Sequence, residues 1–176
     1  MIDERVDCNY IANKIIIKTK QNSTSEDLAL TCVRLNKLVL LCNIAYIQKY
    51  SKMLVKNSYF LWTRGLAIPK IYFDYHETGC NVLNRKVAKV EGKSQEDYEK
   101  QINPKFKRIV DKIVDRILEI TRYVDTIDLC EILDPKIEEG VDVEIYHEEI
   151  IDLYKKFNFK CLEDLNEECN WSKNKQ

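Results

Sequence analysis

Thr31-Cys32-Val33-Arg34-Leu35-Asn36-Lys37-Leu38-Val39-Leu40-Leu41-Cys42-Asn43-Ile44-Ala45-Tyr46-Ile47-Gln48-Lys49-Tyr50 is the stretch whose pattern decides the fold. Leu35, Leu38, Val39, Cys42, Ala45, Tyr46 and Lys49 follow the i, i+3, i+4, i+7 spacing that aligns side chains on one face of an α-helix. Leu40, Leu41, Ile44 and Ile47 widen that face, so this helix is expected at the centre, contacted on more than one side. Thr31 is its expected N-cap, because a hydroxyl there can accept a bond from a first-turn amide that has no intrahelical partner.

The flanking sequence extends the same reading. Val6, Tyr10, Ile11, Ile15 and Ile16 predict an amphipathic helix over residues 3–20, followed by a polar loop at 21–25. Residues 51–67 read as irregular chain, with a short strand at 59–63 suggested by its aromatics. Pro69 suits the first turn of a short helix through Tyr75, where the missing amide is not needed. Residues 79–93 read as an exposed connection. Asn103-Pro104 then opens the clearest helix, with Phe106, Ile109, Val110, Ile113, Val114, Ile117 and Leu118 on one face and charges opposite. Asp125 can cap a further helix to Leu133, stopped by Asp134-Pro135. Residues 141–145 form an extended run. Ile150, Ile151, Tyr154 and Phe157 mark another helix, and the tail from Asn158 is expected to hold one or two turns around Leu162 and Leu165, fraying from Trp171. The sum is a mainly α fold: a compact helical bundle with at most a short β element.

The 176 residues suit one domain with a real core, and only 4 Gly and 3 Pro favour long regular elements. The abundance of Lys, Ile and Asn fits an AT-rich bacterial or mobile-element genome. No segment reaches the roughly 20 apolar residues of a membrane span. The first seven residues are acidic where a secretory signal is basic and then apolar, so a cytoplasmic location is expected. The 7 cysteines (Cys8, Cys32, Cys42, Cys80, Cys130, Cys161 and Cys169) contain no CxxC pair, and read as small hydrophobes in a reducing compartment. The net charge of −1 hides an asymmetry. Residues 1–127 carry 22 Lys/Arg against 15 Asp/Glu, whereas residues 128–168 carry 4 against 14. Either the halves are solvated and partly face each other, or the second offers an acidic face to a basic partner.

Reactive constellations are sparse. His76 lies near Asp74 and Glu77, and His147 near Glu148 and Glu149, but neither has metal-ligand spacing, so no metal or cofactor is expected. Glu148-Glu149 suits a helix start, where anions complement the macrodipole. A Cys–His nucleophilic pair assembled in space leaves a hydrolase as an outside reading. No glycine-rich phosphate loop exists. Arg85, Lys86, Lys89 and Lys93, with Lys105, Lys107 and Arg108, could meet phosphates, yet aromatics are not interleaved with them. Trp62, Arg64 and Tyr72 stand apart. They belong to the residue types that dominate interface hot spots, and they surround a glycine-containing turn. The alternative is that Trp62 and Tyr72 are core residues pinning that turn to the central helix.

The pattern resembles the Panacea domain, the SocA-like, phage-associated antitoxin family. Thr31, Leu35, Lys37, Leu38 and Val39 match its "Thr-x-x-x-Leu-x-Lys-Leu-Leu" helix, followed by Tyr46. Leu61-Trp62-Thr63-Arg64-Gly65-Leu66-Ala67-Ile68-Pro69-Lys70-Ile71-Tyr72 matches its Ala-Trp-x-x-Gly-Pro-Val-x-Pro-x-x-Tyr loop, with Gly65-Leu66 in place of Gly-Pro and Leu61 in place of the small residue. The segment 123–129 and residues 145–157 fall where the family has later helices, and its segment after the penultimate helix is reduced to Leu133-Asp134-Pro135. The resemblance covers residues 4–157 and implies a single helical domain over residues 1–157, with 158–176 as a C-terminal extension.

It further implies a bacterial protein without catalysis that neutralises a co-encoded toxin by direct protein–protein binding, with delivery to a protease in one branch of the family. The partner-binding residues would be Lys37, Trp62, Arg64, Gly65, Pro69 and Tyr72. The alternative is a phage or mobile-element regulator that touches nucleic acid through the basic region ending at Arg108.

Overall fold

The computed structural model describes residues 4–23, 28–76, 81–84, 87–138 and 142–174. Among them the helices are α1 (Cys8–Asn22), α2 (Cys32–Tyr50), α3 (Pro69–Tyr75), α4 (Gln95–Glu99), α5 (Pro104–Thr121), α6 (Thr126–Leu133), α7 (His147–Tyr154) and α8 (Phe159–Asn174). The strands β1 (Tyr59–Trp62), β2 (Gly65–Ala67) and β3 (Val143–Ile145) make one antiparallel sheet in the order β2-β1-β3. The chain is therefore mainly α, with a short β element.

Helix α2 is the axis of the bundle. The Thr31 hydroxyl accepts from Arg34 N at 3.1 Å. Leu35, Val39, Leu40, Leu41, Cys42 and Ile44 are fully buried, and the helix packs against α1, α3, α5, α6, α7 and β2. Over most of its length the helix is buried and has little solvent face on which to place polar groups. Its buried polar side chains instead tie down the irregular chain around it. Asn43 donates through Nδ2 to the Tyr59 hydroxyl (2.8 Å) and accepts from the amides of Leu54 (3.0 Å) and Val55 (3.1 Å). Arg34 donates to the carbonyls of Val124 (2.7 Å) and Thr121 (2.8 Å), capping the C-terminal end of α5 from the side. Burial lowers the Arg34 pKa to about 10, a shift the carboxylate of Asp125 partly opposes. Among the described residues no buried side-chain nitrogen or oxygen lacks a hydrogen bond.

The expected caps of α5 and α6 are present. Asn103 accepts from Lys105 N (2.8 Å), and Asp125 accepts from Asp128 N (2.8 Å). The short helix opened by Pro69 ends at Tyr75 as expected. Helix α1 begins later than the apolar pattern predicts, because Asp7 caps it by accepting from Asn9 N (2.9 Å). Val6, just before, bridges Val55 in parallel through Val6 N to Leu54 O and Lys56 N to Val6 O, both 3.0 Å.

Three segments correct the sequence reading. Residues 51–67 carry a second strand, β2, because the Thr63-Arg64 loop folds Gly65–Ala67 back onto β1 in the register Trp62↔Gly65, Leu61↔Leu66 and Phe60↔Ala67. The connection before α5 is not simply exposed. Val82 and Val90 are buried, and α4, capped by Ser94, places Tyr98 against Tyr10. Gly79, Cys80, Arg85 and Lys86 lie outside the described residues, as do Glu77, Gly140 and Val141. The tail beyond residue 157 is a 16-residue helix, Phe159–Asn174, rather than one or two turns. Phe159 and Leu162 join the core, the Arg116 guanidinium lies 4.7 Å from the Phe159 ring centre, and Asn166 accepts from Tyr123 N at 2.8 Å. Tertiary docking supplies what the local sequence lacks.

Among the described residues no helix is long and apolar enough to cross a membrane. Cys8, Cys32 and Cys42 are buried free thiols, Cys130 and Cys169 are partly buried, and Cys161 is exposed.

Candidate functional site

The β1–β2 hairpin projects its Thr63-Arg64 loop between two grooves. Gly65 closes the turn with a φ of +92°, a region open to glycine and strained for other residues. Behind it stands Lys37 of α2, only 3% exposed, whose Nζ donates to Leu66 O at 2.9 Å. Its neighbour Asn36 accepts from Ile68 N at 2.8 Å. These two side chains bolt β2 and the start of α3 to the central helix. Burial lowers the Lys37 pKa, an effect partly opposed by Cys130 and Asp134. A Cβ on Gly65 would sit 3.2 Å from the Lys37 ammonium, so the hairpin backbone rests against the lysine.

The first groove, about 440 Å³, is lined by Cys32, Lys37, Trp62, Arg64, Tyr72 and Asp142 among others. Trp62 donates from Nε1 to Asp142 Oδ1 at 3.1 Å, and the Asp142 amide donates to Leu61 O at 2.7 Å. An acidic-half residue thus orients the indole. The Trp62 and Tyr72 rings meet edge to face at 5.7 Å, and Tyr72 stacks on His76 at 4.8 Å. Phe73 adjoins both Tyr72 (5.7 Å) and His76 (6.4 Å). Tyr72 is 41% and Phe73 64% exposed, so four aromatic rings form one continuous face at the molecular surface. Burial raises the nearby Cys32 thiol pKa to about 11.

The second groove, about 530 Å³, lies on the other side of the tip, between it and α6. Its walls include Arg64, Gly65, Ile127, Cys130, Glu131 and Asp134. Ile127 is 71% exposed. Arg64 is solvent-exposed at the crest, shared by both grooves.

Of the six residues singled out from sequence, Lys37, Trp62, Arg64, Gly65 and Tyr72 line the first groove. Lys37 is its floor rather than a surface charge. Pro69 is half-buried at the start of α3 and outside that lining. Sequence reasoning missed Phe73, Ile127 and Asp142. The spacing of α3 held the signal for the first: Ile71 and Tyr75 point inward at i, i+4, which turns Tyr72, Phe73 and His76 outward. Asp142 and Ile127 had no local signal, since they reach the hairpin only through β3 and α6.

Both histidines meet backbone carbonyls, and His147 Nδ1 also lies 3.2 Å from Arg5 Nη1. His76 Nδ1 lies 2.9 Å from Tyr72 O, and His147, the first residue of α7, places Nε2 2.9 Å from Asn57 O. Glu149 accepts from Tyr146 N at 3.5 Å, so the acidic pair does mark a helix start. Among the described residues no group of three or more His, Cys, Asp or Glu side chains is placed to hold a metal ion. No protein-family model, curated protein or solved structure matches this chain.

Proposed function

We propose that this chain is an antitoxin-like binding protein that occupies a co-encoded toxin through the face around the β1–β2 hairpin tip. The observation that carries the reading is the continuous aromatic face of Trp62, Tyr72, Phe73 and His76 beside the exposed Arg64. Aromatic and arginine side chains anchor protein interfaces because they bury much area at low conformational cost. Inhibition by occupancy asks for such a stiff face and for no reactive group. The stiffness comes from Lys37 and Asn36, which hold the hairpin to the largely buried central helix. The resemblance of residues 31–72 to the Panacea pattern points to the same loop.

Glu131, Asp134 and Asp142 place part of the acidic half beside the tip. They suit a basic partner and speed its encounter more than they tighten the final complex. Delivery of that partner to a protease is a further step in this reading, and it would use a surface other than the occupied one.

The test is co-expression with the product of the adjacent open reading frame. Growth rescue and co-purification are expected from the parent protein. Both should fail in a Trp62→Ala, Arg64→Ala double variant that keeps the parent's circular dichroism. Rescue undiminished in that folded variant would remove the hairpin from the mechanism. Rescue lost in a folded His147→Ala variant, with co-purification intact, would argue for chemistry instead.

A further inference from the structure

Helix α5 sorts its charges. Asp111 and Asp115 turn toward α1, where Lys14 Nζ meets Asp111 at 2.6 Å and Lys18 Nζ meets Asp115 at 2.5 Å. Lys105, Arg108, Lys112 and Arg116 make a stripe beside that acidic row, over about 16 Å at 1.5 Å per residue. With Lys49 from the end of α2 they line an open groove of about 800 Å³. All five are exposed. Arg116 pairs with Glu163 at 3.3 Å; among the described residues, Lys49, Lys105, Arg108 and Lys112 form no ion pair. A groove in which four of five cations form no ion pair, on a chain of net charge −1, concentrates positive potential where an anionic ligand would lie.

The groove does not end in more charge. Through Lys105 and Ile109 it continues into a second hollow of about 760 Å³, lined by Tyr46, Tyr50 and Phe106. Tyr46 contacts Tyr50 at 4.6 Å and Phe106 edge-on at 6.2 Å. The Tyr50 and Phe106 rings are partly exposed, and the Lys49 ammonium lies 5.4 Å from the Tyr50 ring centre. Glu4 and Glu91 also border this hollow, and Lys56 pairs with Glu91.

We propose that the α2–α5 groove binds single-stranded nucleic acid, with the α5 stripe following the phosphates and a base stacking on Tyr50 or Phe106. A cationic track that leads to partly exposed rings is the arrangement single strands require, since their bases are free to stack and their backbone is continuous charge. An acidic protein segment would use the cations and leave the rings idle, and a duplex keeps its bases out of reach. This surface is separate from the hairpin face, so it stands or falls independently of the antitoxin reading. It also differs from the sequence-level basic region: Arg85 and Lys86 lie outside the described residues, and Lys107 pairs with Asp111 at 3.8 Å.

The experiment is fluorescence anisotropy on the full chain with labelled oligo(dT) and oligo(U) of about 20 nucleotides, longer than the ~4–16 covered by a small single-strand-binding fold. Binding of at least one is expected at low salt. The slope of log affinity against log salt should be about −3, from four to five cations at roughly 0.7 each. A Lys105→Ala, Arg108→Ala, Lys112→Ala variant changes only exposed side chains; its affinity should fall at least about tenfold and its slope should shrink to about −1. Tyr50→Ala or Phe106→Leu should weaken binding about fivefold or more with the slope kept, and no effect from either would overturn the stacking. No binding at low salt, or the same affinity in the triple variant, would overturn the proposal. Equal competition by polyglutamate, or a preference for duplex with no effect of Tyr50→Ala, would overturn it in favour of a general polyanion or a duplex backbone.

Discussion

Replacing Lys37 with Met tests whether the hairpin is held from below. The variant keeps an unbranched side chain of similar length and removes one donor, the ammonium that reaches Leu66 O at 2.9 Å. A hydrogen bond to a charged group contributes about 1.5–3 kcal/mol, and a buried carbonyl left without a partner loses roughly that much. Against this stands the cost of keeping a cation in a site only 3% exposed, which the variant no longer bears. The net expectation is a loss of about 1–2 kcal/mol, or about 2–8 °C in Tm for a chain of this size. The loss should be local as well as global: the amides of residues 63–67 should exchange hydrogen faster, while those of α5 keep their protection relative to global stability. The pH dependence has a definite sign. Burial lowers the Lys37 pKa below its ordinary 10.5, so between the folded and unfolded values the unfolded chain holds the extra proton. The parent's advantage over the variant should therefore widen as pH rises toward 10.5. Urea unfolding at neutral and alkaline pH, with hydrogen exchange read by mass spectrometry, measures all three. A variant as stable as the parent, with hairpin exchange unchanged, would refute the reasoning.

Gly65→Ala should destabilise by about 1–2 kcal/mol, because its φ of +92° disfavours a Cβ and that Cβ would press on Lys37 Nζ; a urea midpoint equal to the parent's would contradict this. Arg34→Met leaves the carbonyls of Thr121 and Val124 without their guanidinium and should cost about 2–4 kcal/mol, whereas Arg34→Lys should fall between; thermal unfolding orders the three. Alkali should unfold the protein early. Burial raises the pKa values of Cys8, Tyr10, Cys42, Tyr59, Tyr75 and Tyr154, and that of Cys32 to about 11, so the stability they carry is complete below their ordinary values of 9–10. It is lost as pH climbs through the folded values. A urea midpoint that falls between pH 8 and 10.5 is the expected reading, and a flat profile would contradict it.

What could be read from sequence was whatever the chain decides within a few turns. The period of 31–50 marked a central helix contacted on more than one side, and Thr31, Asn103 and Asp125 marked caps that the structure contains, because a cap needs only its own helix's first amides. The strand β1 and the Pro69 helix were equally local. The 72/76 spacing in α3 was available too, although its meaning depended on knowing that Ile71 and Tyr75 face inward. The missed elements share the opposite property. β2 exists because Gly65 lets the chain double back onto β1, and α8 persists to Asn174 because Phe159 and Leu162 find a core on α5.

The candidate surfaces divide the same way. Trp62, Arg64 and Tyr72 were conspicuous as residue types beside a glycine turn. That Lys37 lies under the turn, that Asp142 holds the indole, and that α6 supplies a second groove depend on segments 29 to 80 positions away from their contacts. The basic groove is the clearest case. Lys49 and the α5 stripe are remote in sequence, and the pairing of Asp111 and Asp115 with α1 turns those carboxylates away from Lys105, Arg108 and Lys112. Local pattern determines which elements form, because hydrogen bonds and caps act over a few residues. Which side chains meet depends on burying the faces those elements share, and that is settled only when all of them pack at once.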